Sequence, residues 1–257
     1  MDGTLFDDQK RVSPENRAAI ESFVREGGSF GVATGRAPSI IGAIERELPV
    51  NAPCILFNGA GLYDLSKKQY LTAHPINPDQ TERIVSRAVE LRFNTCPQIF
   101  NADGIYETNP DQRDDPQTVF EDMPVCHVPF GQVPQPFLKF LLAHTSEDLD
   151  YLHKTLAAEG LFEGLTAFRS SDAYLEFVAP GVNKGMALED VRARCGDVRK
   201  ILAIGDYNND LEMVALADIG GAPANAIDEV KSAADIVLNV SNNESCVARF
   251  LEAALGT

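Results

Sequence analysis

The sequence predicts a doubly wound α/β domain built on a mostly parallel sheet and interrupted by an inserted α+β domain. Strand-like and helical stretches alternate at both ends of the chain, while short strands follow one another through its middle. A third observation is that the polar motifs fall where strands give way to turns or helices, the place where open α/β sheets bind ligands.

The chain opens on Asp2-Gly3-Thr4, a turn dipeptide followed by a hydroxyl. Ser13-Pro14-Glu15 starts a first helix with a capping hydroxyl and a proline at its first turn, and Gly27-Gly28 stops it. Ala19, Ile20, Phe23 and Val24 are its apolar stripe. Residues 29–33 form a short buried strand, with Thr34-Gly35-Arg36 at its carboxyl end. A second helix over residues 38–48 turns Ile40, Ile41, Ile44 and Leu48 toward the sheet. The strand at residues 54–57 ends in Asn58-Gly59-Ala60, and residues 62–73 fold as a hairpin around the polar run 64–68.

Near residues 75–78 the pattern changes. A helix at 79–92 precedes strands around 95–100 and 105–107, a polar loop through Asp114-Asp115-Pro116 and a strand at 137–144. A helix at 146–159 and strands near 165–169 and 174–178 complete an insert large enough to be a domain. Alternation resumes at Val182, with a helix to about Cys195 that carries Lys184 at or near its start. Strands at 200–205, 218–221 and 236–238 then alternate with helices at 211–216, 226–233 and 244–255. The division expected is a core of residues 1–76 and 181–257 around an insert of residues 77–180.

With 44% hydrophobic residues the chain has enough apolar content for a buried core, and no apolar run is long enough to span a bilayer. The first residues do not read as a signal peptide. A formal charge of -16 argues against nucleic acid and anionic membranes as partners, because both need clustered Lys and Arg. Cys54, Cys96, Cys126, Cys195 and Cys246 are odd in number, widely spaced and without a C-x-x-C pair, so they read as reduced thiols of a cytoplasmic protein. His74, His127, His144 and His153 are scattered without metal-ligand spacing. Phe120, Phe130, Phe137 and Phe140 read as core of the insert.

The chemistry lies in four clusters: Asp2-Gly3-Thr4, Thr34-Gly35-Arg36, Asn183-Lys184-Gly185 and Gly205-Asp206-Tyr207-Asn208-Asn209-Asp210. Together they bring a hydroxyl, an ammonium and several carboxylates to one crevice. A phosphate monoester needs these groups: hydroxyl and lysine for its oxygens, and hard carboxylate oxygens for Mg²⁺ beside them. Asp206, Asn208 and Asp210 imitate the first ligands of a calcium loop, but Leu211 stands where such a loop requires glycine and Ala217 where it requires glutamate.

In order and spacing these clusters resemble the haloacid dehalogenase superfamily, in particular its Cof-type sugar-phosphatase-like branch. That family orders D-x-D-G-T, a strand-end Thr or Ser, a Lys and G-D-x-x-N-D, and Asn58-Gly59-Ala60 is similar to the N-G-A turn of the branch. The resemblance implies a Rossmann-like core, with the insert as a cap that closes over the crevice and selects a small phosphorylated metabolite.

Residue by residue, it implies that Asp2 is the general acid and base and that its main-chain carbonyl touches Mg²⁺. Thr34 and Lys184 would hold the phosphoryl oxygens and Asp206 would ligate the metal, with Asn209 and Asp210 in support. Asp210 belongs with Asp2 and Asp206 in the expected metal set, and Thr4, Gly35, Arg36, Asn58, Gly59 and Asn209 in the substrate-binding set.

The family's nucleophile is the first aspartate of D-x-D, which would precede Met1. The expectation is therefore a truncated chain, inactive as written, that becomes an Mg²⁺-dependent phosphatase when completed upstream. A phosphomutase and a non-catalytic phosphate-binding protein are the alternatives. Oligomeric state and the exact substrate stay open.

Overall fold

The computed structural model describes residues 1–38, 41, 44, 46–91, 93, 96–108, 125–196 and 199–256. By their contacts, described residues of 1–35, 41–71 and 183–256 form one compact unit, and those of 36–38 and 72–182 form another. The polar loop expected through Asp114-Asp115-Pro116, and Phe120, lie outside the described residues.

In the first unit the chain begins with a tight loop: the N–H groups of Thr4, Leu5 and Phe6 all reach the Met1 carbonyl, at 3.3, 2.8 and 3.0 Å. An antiparallel bridge between Phe6 and Val12 closes the next turn, inside which Asp7 accepts the backbone N–H groups of Gln9 and Arg11. Helix α1 (Pro14–Arg25) starts as its sequence dictates, with Ser13 Oγ accepting the Asn16 N–H at 3.1 Å. Its buried residues are Ile20 and Asn16; Ala19, Phe23 and Val24 are only partly covered, so the stripe is narrower than the apolar pattern implies and includes an amide.

The strand expected at residues 29–33 reduces to a parallel bridge between Ala33 and Ile55, flanked by bonds from Ile55 N–H to Val32 and from Thr34 N–H to Ile55. The Phe30 carbonyl also accepts the Asn51 and Ala52 N–H groups, both at 3.0 Å, but the one strand bridge in this segment among the described residues is at Ala33. Of the helix expected at 38–48, Pro38, Ile41 and Ile44 are helical, and Ile41, Ile44 and Leu48 are buried.

Strand β1 (Cys54–Leu56) pairs antiparallel with β2 (Gly61–Asp64), which continues into β3 (Gln69–Ala73). The Asp64 carboxylate tightens that hairpin by accepting from Ser66 Oγ, Lys67 N–H and Lys67 Nζ.

Among its described residues the second unit has a six-stranded sheet and two α-helices: α2 (Pro78–Glu90), β4 (Cys96–Phe100), β5 (Ile105–Glu107), β6 (Val125–His127), β7 (Lys139–Ala143), α3 (Ser146–Ala158), β8 (Thr166–Ser171) and β9 (Tyr174–Val178). The strand order is β6-β5-β4-β7-β9-β8, all antiparallel except β5 with β6. Phe140 and Phe177 stack at 4.3 Å across β7 and β9, with Phe162 edge-on to Phe177 at 5.3 Å, so Phe137 and Phe140 act as core, while Phe130, edge-on to Phe137, is only partly buried. Strand alternation sends Gln98, Glu107 and Glu176 to one face, where Lys139 Nζ meets Glu176 at 2.9 Å.

The chain then returns to the first unit with α4 (Lys184–Arg194), β10 (Leu202–Ile204), α5 (Leu211–Leu216), β11 (Ile219–Ala222), α6 (Asp228–Ala233), β12 (Ile236–Val237) and α7 (Cys246–Leu255). Strands β10, β11 and β12 are parallel neighbours, the doubly wound arrangement expected. Ile55, Leu62, Ala187, Leu188, Ile201, Ala203 and Met213 form a core between strands and helices. No described helix is long and apolar enough to cross a membrane.

The first turn is clipped to the last helix's entry. Asp8 accepts from the side-chain amides of Asn242 at 3.0 Å and Asn243 at 2.9 Å, which hold its carboxyl below the usual carboxylate range. A depressed native value means that the stabilisation is present above the ordinary carboxylate range and is lost as pH falls through the folded value. The Tm difference between wild type and Asp8→Ala should accordingly be full at neutral pH and close toward zero as pH falls through the folded carboxyl's lowered value. Thermal melts across that range check it, and a pH-independent difference would show that the clip does not act through the carboxylate's charge.

Candidate active site

Each motif sits where local chemistry puts it. Asn183 caps α4, its Oδ1 accepting the Met186 N–H at 2.7 Å, so Lys184 is the helix's first residue. Lys184 is buried at 3% exposure, and its Nζ meets Asp210 Oδ1 at 2.6 Å. Asp210 Oδ2 accepts the backbone N–H groups of Asp206 at 3.1 Å and Tyr207 at 3.4 Å. This carboxylate therefore joins the lysine to the turn that carries Asp206. The Asp206 carboxylate in turn accepts the Thr4 hydroxyl, which ties that turn to the chain's first loop.

Gly3 is the residue the loop cannot replace: its φ is +69°, and a Cβ there would run into the Asp206 carboxylate. Gly59, with φ +105°, is in the same position against the Asn183 carbonyl, which lets the Asn58 turn press onto the start of α4. Asn58 is left-handed (φ 56°, ψ 32°), and its Oδ1 accepts from Asn209 Nδ2 at 2.9 Å. Gly35 lies against the Asn58 amide, and Thr34 is buried at 3% exposure.

Lys184, Asp210, Asp206 and Thr4 are thus joined in one hydrogen-bonded chain, with Asn58 and Asn209 as a second pair drawn from two of the predicted motifs. Asp2 pairs with Lys10 Nζ at 2.6 Å, a partner no motif announces. Arg36 groups with the second unit.

Burial raises the Asp206 carboxyl above the usual carboxylate range and the charge of Asp210 adds to this, while the Thr4 hydroxyl and Lys184 pull the other way. Burial pushes Asp210 up too, but the charge of Lys184 and the hydrogen bonds it accepts outweigh it and hold Asp210 below that range. The site is therefore a half-buried carboxylate whose negative charge is unwelcome, beside a buried one whose charge a lysine takes up.

Such an oxygen donor suits a hard divalent cation. Among the described residues no three His, Cys, Asp or Glu side chains gather as a closed cage, so a cation at Asp206 would draw on main-chain and water oxygens as well. Mg²⁺ commonly binds in that way, through one or two carboxylates and several waters.

Residues that no sequence pattern reveals complete the site. Lys10, Asn16, Asn225 and Asn242 reach the first loop from turns and helices whose motifs are silent about it. The one signal is negative: Asn16 is an amide on the buried face of α1.

Residues 1–251 match the sequence model of the haloacid dehalogenase-like hydrolases. A 5-amino-6-(5-phospho-D-ribitylamino)uracil phosphatase of Bacillus subtilis, YcsE, is 29% identical over 257 residues, covering 98% of this chain and 92% of the relative. The pyridoxal phosphate phosphatase YbhA of Escherichia coli is 26% identical over 263 residues, covering 98% and 95%. A Thermotoga maritima protein of known crystal structure superposes with a TM-score of 0.81 at 30% identity, covering 98% of this chain and 94% of that one.

Proposed function

Because this chain belongs to the haloacid dehalogenase-like hydrolases, we propose that it is an Mg²⁺-dependent phosphatase acting on a small phosphorylated metabolite. The observation that carries this reading is the continuous link from Lys184 through Asp210 and Asp206 to Thr4, which places a cation, a buried carboxylate and the Asp2 turn in one network. Lys184 and Thr34 bind and orient the phosphoryl oxygens. Asp210 acts by holding Lys184 and the Asp206 turn in place.

Asp206 and the main-chain carbonyl of Asp2 would hold Mg²⁺, which when bound supplies positive charge against the phosphoryl group. Asp2 gives its proton to the leaving alkoxide and later takes one from water. In the D-x-D-G-T motif the covalent acceptor of the phosphoryl group is the first aspartate, and Asp2 matches the second. The names of YcsE and YbhA favour a polyol or pyridoxal-like phosphate ester, and sugar phosphates belong in the same first panel.

The test is phosphate release, with and without Mg²⁺, from sugar, polyol, pyridoxal and nucleoside monophosphates. It compares the chain as it stands with one extended upstream by an apolar strand ending in aspartate. Release by the extended form supports the reading. Folded proteins that bind phosphate in both forms without releasing it would point to a binding protein, and isomerisation without net release to a mutase.

A further inference from the structure

Four successive main-chain carbonyls of the first loop each accept from a side chain lying elsewhere in the sequence. Gly3 O takes Asn225 Nδ2 at 2.7 Å, Thr4 O takes Cys246 Sγ at 3.1 Å, Leu5 O takes Asn16 Nδ2 at 3.5 Å and Phe6 O takes Asn242 Nδ2 at 3.1 Å. The loop's own N–H groups at Thr4, Leu5 and Phe6 are already spent on Met1 O. The carbonyls of residues 3–6 and the N–H groups of residues 4–6 are thereby engaged, which restrains this irregular backbone without regular secondary structure.

Three of the four donors are buried: Asn16 and Cys246 at 0% and Asn242 at 5% exposure, so each also serves packing. Asn225 does not. It is exposed, yet both ends of its amide are engaged, Nδ2 with Gly3 O and Oδ1 with the Asn242 backbone N–H at 2.9 Å. An exposed side chain held at both ends contributes little to the core and fixes the place of what it holds.

We propose that Asn225 is a positioning residue that sets the Asp2-Gly3-Thr4 turn through the Gly3 carbonyl, with Asn242 bracing it from behind. The proposal rests on the metal-binding role assigned to this turn above. Holding the Gly3–Thr4 peptide also fixes the Asp2 carbonyl on one side and the Thr4 hydroxyl that reaches Asp206 on the other. Partners that orient metal ligands from outside are worth about 10–100-fold in metal affinity.

The test is Mn²⁺ binding, followed by electron paramagnetic resonance with Mg²⁺ competition, on the full chain and on Asn225→Ala, alongside thermal melts. Asn225→Ala should weaken Mn²⁺ binding about tenfold or more with little change in Tm. Asn16→Ala, which removes a fully buried amide, should do the reverse and chiefly lower Tm. Asn225→Asp keeps the side chain's shape and its acceptor but turns an oxygen toward the Gly3 carbonyl, so it should bind Mn²⁺ no better than the alanine variant and stands in should that variant fail to fold. Undiminished affinity in both Asn225 variants overturns the positioning role alone. A wild-type chain that binds no Mn²⁺ overturns the metal reading of the site and this inference with it.

Discussion

Asp206→Asn is expected to leave the protein as stable as the wild type, or more so, while reducing divalent-cation binding on the order of 100-fold or more. The amide matches the carboxylate in shape and keeps an oxygen for the Thr4 hydroxyl. It removes a negative charge that burial and Asp210 both penalise. Stability and binding then move in opposite directions, as befits a group retained for its chemistry at the expense of the fold. Thermal melts paired with Mn²⁺ titration, and phosphate release where turnover is present, check it. A variant that melts well below the wild type and still binds the cation would show that Asp206 is a structural residue.

Lys184→Met should have the largest effect on stability, a loss of about 3–5 kcal/mol. Lys184 and Asp210 are both nearly fully buried and meet at 2.6 Å, so removing the ammonium strands a carboxylate away from water. The two backbone N–H groups on Asp210 Oδ2 soften the penalty without replacing a cation. Replacing both residues, Lys184→Met with Asp210→Leu, should recover part of the loss, since an apolar pair of similar volume is often neutral in place of a buried ion pair. Urea denaturation of the two single variants and the double variant measures the coupling. A loss below about 1 kcal/mol for Lys184→Met would place the pair among weak surface-like bridges.

Much of this architecture was legible because its signals are local. Ser13-Pro14 and Asn183-Lys184 start helices through side chains that bond to their own next residues, and the Asp64 turn closes on Ser66 and Lys67. Such contacts span two to four positions, and any reading of adjacent residues finds them. Where pairing was decided by distant neighbours the reading was less exact. Residues 29–33 carry the composition of a strand yet form a strand bridge at Ala33 rather than a regular ladder, and α1 buries Asn16 where its apolar stripe would continue.

The candidate site divides along the same line. Asp2, Thr34, Lys184 and Asp206 could be named from motif order, because each motif is a short turn with its own chemistry. What those motifs do to one another could not. That Lys184 spends its charge on Asp210, that Thr4 bonds to Asp206 across 202 positions, and that Asn58 holds Asn209 across 151 are outcomes of packing. The chain by itself determined the order of strands and helices, their caps and turns, and which residue types the motif turns carry, since these depend on backbone preferences and nearest neighbours. Tertiary structure alone decided the partners of each charge and the four side chains that hold the first loop's carbonyls, because a hydrogen bond between distant residues exists only once the fold has brought donor and acceptor within about 3 Å.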